Sequence, residues 1–185
     1  YWLRFRSFDW GSASPFSVGW WAVSDGSEVD GQVYPKNSLL RYREWYGAKG
    51  PNIGLKLSND QISEGILSRE NEKITYGVAD PSIFISQGGP SIAEQMAKEG
   101  VMWRKADNRR VGKQGAMSGW AEMRSRLIGQ DGRPMIYTFS NCLDSIRTIP
   151  TLPHDNVRLE DVDTRSEDHA ADEWRYACMS RPWMT

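Results

Sequence analysis

The chain has 185 residues, of which 39% are hydrophobic and 25% are charged, and its formal net charge at pH 7 is −1. This composition is typical of one folded globular domain, here expected over residues 1–185. The near-neutral balance excludes a global electrostatic attraction to nucleic acid or to a membrane surface. Any basic surface must therefore be local.

The two cysteines, Cys142 and Cys178, lack CxxC spacing. They therefore predict neither a zinc site nor a disulfide framework, and they are compatible with a reducing compartment. The sequence has no apolar run of about 18 residues and no signal peptide, so we expect a chain that neither spans a membrane nor is exported. It begins at YWLRF without Met, and we expect a fragment of a longer protein.

The first part of the sequence predicts three antiparallel strands. Leu3 to Asp9 alternates between the two faces of a strand, and the pattern stops at Gly11. Two further strand patterns run from Phe16 to Ser24 and from Ser38 to Tyr46. Because turn-forming residues separate these runs, neighbouring strands should pair in opposite directions.

Helices and strands alternate in the rest of the chain. Ser58 and Gln61 form a capping-box pattern at the start of the first helix. The predicted elements are a helix from Asn59 to Glu70, a strand from Lys73 to Ala79, a helix from Ser91 to Gly100, a strand from Val101 to Arg104, a helix from Ser118 to Leu127, a strand from Pro134 to Phe139, a helix from Ser140 to Thr148 and a closing helix near Trp174. This order predicts an α/β fold, in which helices flank a mixed β-sheet.

Two aspartates, Asp9 and Asp80, each end a predicted strand next to a chain-breaking residue. Asp is common at such turns for structural reasons, because its side chain bonds nearby backbone donors. Ligands of open α/β sheets, however, bind beyond the carboxyl ends of the strands. If the two strands are neighbours and the closing helix brings Asp172 beside them, the three carboxylates need protons or cations, and Mg²⁺ or Mn²⁺ is the natural partner. Two such ions about 3.5 to 4 Å apart support in-line phosphodiester cleavage.

The closing segment EDHAADEWRYACMSRP contains Asp168, His169 and Asp172 within five residues. On a helix its apolar residues share one side, whereas Asp168 and Asp172 share the other. Helix capping explains Asp168 well but Asp172 poorly, because Asp172 lies a full turn further in. Spacing alone leaves open both a solvated or capping face and a functional one.

A local excess of basic residues lies between Arg104 and Arg126, where seven basic residues and two acidic ones give a charge of +5. Such clusters hold phosphate backbones, although charge runs are more often plain solvated surface. The candidate DNA-binding residues are Arg104, Lys105, Arg109, Arg110 and Lys113. The stretch from Asp155 to Glu173 has the opposite charge, −6. This segment would repel DNA unless cations neutralise it.

Several blocks of the sequence together resemble one known family. They are FDWG with SPFSVGWW, GVADPSIF (Gly77 to Phe84), RKADNRRVGKQGAMSGWAEMRSRL (Arg104 to Leu127), FSNCLDSIRTIPTLPHD (Phe139 to Asp155) and EDHAADEWRYA. In this order they resemble the C-terminal nuclease domain of the large terminase subunits of tailed bacteriophages or prophages. The resemblance spans nearly the whole chain.

The resemblance implies a ribonuclease H-like fold. In this α/β fold the first three strands are antiparallel, the later strands are parallel, and helices flank the mixed sheet. It implies an endonuclease that cleaves concatemeric double-stranded viral DNA during genome packaging, with two Mg²⁺ or Mn²⁺ ions. Asp9, Asp80 and Asp172 look like the family's catalytic, metal-binding acids. Asp168 and His169 lie where related enzymes sometimes place an additional metal ligand.

The same resemblance implies partners for the full-length protein. These are double-stranded DNA, an ATPase motor domain, the portal and the small terminase subunit, in the cytoplasm of the bacterial host. The motor domain is absent from this chain, so DNA translocation is not expected of it.

Three alternative functions stay open. The first is a junction-resolving nuclease of the same fold, and the second is a catalytically silent module that docks on DNA or on a portal. The third is a sugar-cleaving enzyme, which paired acids and nine tryptophans also fit and which would act without metal.

Overall fold

The computed structural model describes residues 2–112 and 118–183. Within these ranges the strands are β1 Leu3–Asp9, β2 Ser17–Val23, β3 Glu28–Val29, β4 Gln32–Val33, β5 Leu39–Tyr46, β6 Ala48–Gly50, β7 Ile53–Gly54, β8 Tyr76–Ala79, β9 Arg104–Lys105 and β10 Ile136–Thr138. The helices are α1 Asn59–Ser68, α2 Ile92–Lys98, α3 Gly119–Ile128, α4 Leu143–Thr148 and α5 His169–Ser180, and short 3₁₀ turns lie at Pro81–Phe84 and Ile149–Thr151.

Six of these strands form the main sheet, in the order β10-β5-β2-β1-β8-β9. The strand β2 pairs in antiparallel fashion with β1 on one side and with β5 on the other. The later strands are added in parallel, with β8 beside β1, β9 beside β8 and β10 beside β5. The predicted α/β mixed sheet, antiparallel in its first three long strands and then parallel, is therefore confirmed.

Helices α1 and α2 cover one face of this sheet. Both begin with the capping boxes that their sequences predict, at Ser58 with Gln61 and at Ser91 with Glu94. Their apolar sides pack against the large side chains of β1 and β2. The buried members of this cluster include Phe8, Val18, Trp20, Ile62, Ile66 and Met96. Burial of these side chains supplies the main stabilisation of this layer.

Helix α5 covers the opposite face, with α3 packed against it. Phe5 and Trp21 are register partners on β1 and β2, and both contact the apolar side of α5 around Trp174. The ring planes of Trp21 and Trp174 meet edge to face, with centroids 5.4 Å apart. The sheet face becomes polar further along, at Ser7 and Asp9. This change directs the polar side of α5 toward the carboxyl end of β1.

Two small hairpins, β3–β4 and β6–β7, are absent from the sequence prediction. Their strands have only two or three residues, so they carry too little alternation to be recognised. The predicted strand from Val101 to Arg104 was also misplaced. The Val101 N–H donates to the Met96 carbonyl (2.9 Å) and closes α2, so pairing with β8 starts only at Arg104.

Within residues 2–112 and 118–183, no helix combines the length and the apolar character that crossing a bilayer requires.

Candidate active site

Asp9 and Asp80 end neighbouring parallel strands. Phe8 pairs with Ala79 in the β1–β8 register, and the Asp80 N–H donates to the Phe8 carbonyl at 3.0 Å. The Asp80 side chain accepts a hydrogen bond from the Ser82 N–H (2.9 Å) and caps the 3₁₀ turn that follows. Each aspartate follows the end of a strand, as predicted, and the parallel pairing of the two strands places both at the carboxyl end of the sheet.

The carboxylate of Asp9 is buried between the sheet and α5. It accepts a hydrogen bond from the Tyr176 hydroxyl at 3.3 Å, and its other oxygen lies 3.6 Å from Nδ1 of His169. Burial raises the pKa of Asp9 to about 8, His169 opposes the rise, and the charges of Asp172 and Asp80 add to it. In the absence of a bound cation, burial therefore favours the protonated form of Asp9, whereas the contact with His169 favours the ionised form.

The hydroxyl of Tyr176 is influenced by the charges of all three predicted acids. Burial raises the pKa of this hydroxyl, and the charges of Asp9, Asp172 and Asp80 raise it further. The three acids are far apart in the sequence, yet their charges all act on Tyr176. The structure therefore places Asp9, Asp80 and Asp172 in one region, around the ends of β1 and β8 and the start of α5.

Asp172 faces two guanidinium groups. Its Oδ1 atom lies 3.0 Å from Nη1 of Arg110 and 3.0 Å from Nη2 of Arg175. Arg175 is buried one turn along α5 and also donates to the Asn108 side chain (2.9 Å). Gly119 makes room for Arg175, since a Cβ atom at that position would lie 2.4 Å from Cγ of Arg175. Asp172 is therefore held in an ion-paired arrangement.

Asp168 occupies the N-cap position of α5, yet among the described residues its side chain makes no capping hydrogen bond. The capping interpretation of this residue is therefore wrong. Its carboxylate lies 3.5 Å from Nη2 of Arg110 instead. Burial raises the pKa of Asp168 to about 6, with a further contribution from the charge of Asp172 and an opposing one from His169 and Arg110.

His169 connects α5 to the β6–β7 hairpin. Its Nε2 atom lies 2.7 Å from the Asn52 side-chain oxygen, and the Asn52 N–H donates to Glu167 at 3.1 Å. Burial lowers the pKa of His169, but the contact with Asp9 and its charge outweigh burial, so that the net shift is upward. His169 is thus positioned beside Asp9 at the rim of the acidic cluster.

The predicted DNA-binding residues fall into three groups. Arg104 and Lys105 are exposed on the edge strand β9. The Arg109 side chain is 60% exposed and pairs with Asp107 at 2.5 Å, whereas Arg110 points into the acidic cluster. Lys113 lies outside the described residues.

A buried ion-pair network, which was not predicted from the sequence, fixes α5 to the sheet. Glu173 receives hydrogen bonds from Arg41 (2.6 Å from each of its terminal nitrogens), from Ser7 (2.5 Å) and from Ser17 (3.2 Å). A Cβ atom on Gly19 would lie 1.8 Å from Nη1 of Arg41, so only glycine fits beneath this pair. One signal was present in the sequence, because Glu173 falls on the apolar side of the predicted helix.

The donor set fits a hard divalent cation by its chemistry, since Mg²⁺ and Mn²⁺ prefer carboxylate oxygens. In the part of the chain that the structure describes, however, no three His, Cys, Asp or Glu side chains are arranged to hold a metal ion. Asp172 is paired with arginine and Asp80 with a backbone N–H. Ion binding at this cluster therefore requires side-chain rearrangement.

The architecture identifies the type of fold. A mixed sheet with antiparallel and then parallel strands between helix layers, matched by a solved terminase nuclease domain, is a ribonuclease H-like fold.

Solved large terminases share this fold. The large terminase of a thermophilic bacteriophage matches with a TM-score of 0.71 at 17% identity, over 100% of this chain and 40% of that chain. The P22 large terminase nuclease domain matches with a TM-score of 0.66 at 16% identity, over 97% of this chain and 81% of that chain. No family model and no curated protein matches the sequence. The fold thus confirms the resemblance predicted from the sequence. This chain spans 40% of the length of the thermophilic-phage terminase.

Proposed function

We propose that this chain is a divalent-metal-dependent DNA endonuclease that cleaves concatemeric double-stranded viral DNA during genome packaging. One observation carries the proposal. Acids from three distant parts of the sequence lie in one region near the ends of β1 and β8, where burial and the charges of Asp172 and Asp80 raise the pKa of Asp9 to about 8. Strongly perturbed carboxylates in such a position are typical of functional sites. The fold shared with solved large terminases supports the same function.

The proposed catalytic and metal-binding acids are Asp9, Asp80 and Asp172, with Asp168 and His169 as additional ligands. Two bound Mg²⁺ or Mn²⁺ ions would supply an activated water and stabilise the leaving oxygen of an in-line phosphodiester displacement. Asp9 must first lose the proton that its raised pKa favours. The Tyr176 hydroxyl, 3.3 Å away, then orients the ionised carboxylate by donating to it.

Duplex DNA is the proposed substrate, held through its phosphates. Arg104 pairs with Val78 and Lys105 with Ala79 in the β8–β9 register, so Lys105 lies at the same end of the sheet as Asp80. The proposed phosphate-binding residues are Arg104, Lys105, Arg109, Arg110 and Lys113. Because phosphate contacts carry no base information, we expect little sequence preference.

The proposed setting is a phage or prophage packaging complex in the cytoplasm of the bacterial host. There the nuclease domain, residues 1–185, would act together with an ATPase motor domain, the portal and the small terminase subunit. The fold supports this setting because the thermophilic-phage and P22 proteins that share it are large terminases.

A plasmid-cleavage assay tests the proposal. Asp9→Asn, Asp80→Asn and Asp172→Asn should each reduce Mn²⁺-dependent cleavage by about 100-fold or more, because each removes charge that neutralises a bound cation. Asp60→Asn is the matched control, since Asp60 is an exposed acid on α1. EDTA should abolish wild-type cleavage. Cleavage that persists in EDTA, or that Asp80→Asn leaves at the control level, rejects the proposal.

Anomalous scattering from a crystal soaked in Mn²⁺ tests the site independently of activity. We expect ion peaks within about 2 to 2.5 Å of carboxylate oxygens of Asp9, Asp80 and Asp172. Peaks confined to other acids would contradict the assignment of these ligands even if the protein cleaves DNA.

A catalytically silent docking module is the second candidate function. The guanidinium groups that already neutralise Asp172 favour it, because an ion-paired acid needs no metal. The plasmid assay separates the two functions, since a docking module binds DNA without cutting it. A junction-resolving nuclease would instead cut four-way junctions in preference to plasmid.

A further inference from the structure

Arg110 interacts with three acids at once. Its Nε atom lies 3.1 Å from Asp161, Nη1 lies 3.0 Å from Asp172 and Nη2 lies 3.5 Å from Asp168. Nη2 also donates to the Val162 carbonyl at 3.3 Å. These contacts occupy both terminal nitrogens and the Nε atom of the guanidinium. The arginine therefore neutralises the acidic side of the proposed site.

Arg110 and Arg175 differ in their freedom to leave Asp172. Arg175 is buried in α5, whereas the Arg110 side chain is 21% exposed and lies across the ring of Trp120 at 5.2 Å. The backbone around Arg110 is fixed by α3, because the Gly119 N–H donates to Arg109 and the Trp120 N–H donates to Arg110. Rotation of the Arg110 side chain alone can therefore carry its charge from the acids to the solvent.

Whether Arg110 stays beside these acids depends on whether a divalent cation is bound to them. With Arg110 in place, a divalent cation on Asp172 would lie within a few ångströms of a guanidinium, and like charges at that distance repel strongly. Without a cation, departure of Arg110 would leave Asp172 with Arg175 and Asp161 with its hydrogen bonds from Trp120 and the Val162 N–H, but within residues 2–112 and 118–183 it would leave Asp168 with no arginine beside it. Arg110 and a divalent cation are therefore alternative partners for the same carboxylates.

We propose that Arg110 is the resident counter-cation of the acidic site, that it leaves Asp172 and Asp168 when divalent cations bind, and that it then contacts a DNA phosphate. The inference rests on the proposed function and specifies its regulation. Arg110 directly follows Arg109, whose side chain is 60% exposed, so the displaced guanidinium reaches the same surface. Metal binding and DNA binding should then strengthen each other, because such coupling is reciprocal.

Mn²⁺ titration of the metal-free protein, followed by calorimetry, tests the displacement. Arg110→Gln should bind Mn²⁺ on the order of tenfold more tightly than wild type, because the competing charge is gone. Arg109→Gln removes the same charge one residue away from Arg110, and because Arg109 pairs with Asp107 rather than with the acids around Asp172, this change should leave the Mn²⁺ affinity unchanged. Equal Mn²⁺ affinities for Arg110→Gln and Arg109→Gln would overturn the inference.

Asp172→Asn separates failure of this inference from failure of the proposed function. If Asp172→Asn weakens Mn²⁺ binding while Arg110→Gln leaves it unchanged, the metal site stands and the role of Arg110 is rejected. If wild type, Arg110→Gln and Asp172→Asn all fail to bind Mn²⁺, the proposed metal-dependent function is rejected as well.

Two further measurements extend the test. The Nε–H proton of Arg110 in the wild-type protein should exchange faster with water when Mg²⁺ is added. Its NMR signal is identified by its absence in Arg110→Lys, and an unchanged exchange rate argues against displacement.

Binding of a labelled short duplex should tighten in Ca²⁺ relative to EDTA by about tenfold in wild type. This ratio should fall in Arg110→Gln and persist in Lys36→Gln, which removes an exposed charge at the end of the sheet opposite to Asp9, and the same ratio in all three proteins would reject the DNA contact.

Discussion

At the scale of single residues, Asp9 combines burial with a position at a strand end. Burial raises its pKa to about 8, with Asp172 and Asp80 adding to the effect. An unfolded chain releases this proton near pH 4. Between about pH 4 and pH 8 the folded state therefore holds a proton on Asp9 that the unfolded state has released. The free energy of unfolding consequently depends on pH in this range.

We predict that the metal-free protein loses stability as the pH rises from about 4 to 8. The free energy of unfolding should fall by on the order of 1 kcal/mol per pH unit, because the group with the raised pKa favours the folded state only while it is protonated. Asp9→Asn cannot ionise and should flatten this slope. Urea unfolding in EDTA at several pH values measures the effect.

The matched control for this experiment is Asp60→Asn, which alters an exposed acid on α1 and should keep the wild-type slope. An unchanged slope in Asp9→Asn would show that Asp9 titrates normally in the folded protein. The raised pKa of His169 adds to the wild-type slope with the same sign, and Asp9→Asn should reduce this contribution as well, because the contact with Asp9 and its charge are the main causes of the rise.

At the scale of elements, the docking of α5 decides whether Asp172 faces the strand ends. The apolar side of α5 packs against Phe5 and Trp21. This packing holds the helix on the sheet, but it does not by itself fix the rotation of the helix about its own axis. The Glu173 carboxylate is bonded to side chains of three strands, namely Ser7 on β1, Ser17 on β2 and Arg41 on β5. This network fixes the rotation of α5 and hence the direction of its neighbour, Asp172.

We predict that Glu173→Ala destabilises the protein by about 3–5 kcal/mol, because it leaves the Arg41 guanidinium buried without its main partner. Combining Arg41→Met with Glu173→Leu should cost much less than the two single changes together, since no uncompensated charge remains. Urea unfolding of the two single variants and the double variant measures the coupling. Glu64→Ala, at an exposed position on α1, is the control, and equal stability of Glu173→Ala and Glu64→Ala would contradict the prediction.

At the scale of the whole molecule, opposite charges meet at one end of the sheet. The edge strand β9 presents exposed Arg104 and Lys105 beside β8, which ends at the acidic cluster. A duplex held by these cations would place its backbone near carboxylates that repel it until cations are bound. The electrostatic part of binding should therefore be measurable as salt dependence.

We predict that Lys105→Gln lowers the magnitude of the slope of log affinity against log salt concentration by about 0.9, because one phosphate contact is lost. Fluorescence anisotropy with a duplex of fixed length at several salt concentrations measures this slope. Lys36→Gln is the control, since Lys36 is exposed before the start of β5, at the end of the sheet opposite to Asp9. A similar decrease in both variants would indicate a diffuse charge effect rather than a binding surface.

The local elements of the fold could be predicted because their signals are local. The alternation from Leu3 to Asp9 and the capping boxes at Ser58 and Ser91 depend on residues within one strand or one helical turn, and the structure contains each of them. Asp9 and Asp80 could also each be placed at a strand end, whereas the parallel pairing that makes the two strands neighbours came from the structure. The sequence by itself determined these local features.

Only the tertiary structure decided the partners of the charged residues. Arg110 was grouped with the other basic residues, yet it contacts Asp172, which lies 62 residues away in the sequence. Arg126, counted in the same basic stretch, is buried and donates to the Met135 carbonyl at 3.0 Å, while Arg41 and Glu173 pair across 132 residues. Sequence periodicity reports which face a side chain occupies, whereas an ion pair depends on which distant side chain packs against that face. For this reason the acids were predictable as candidates, but their neutralisation by arginine was not.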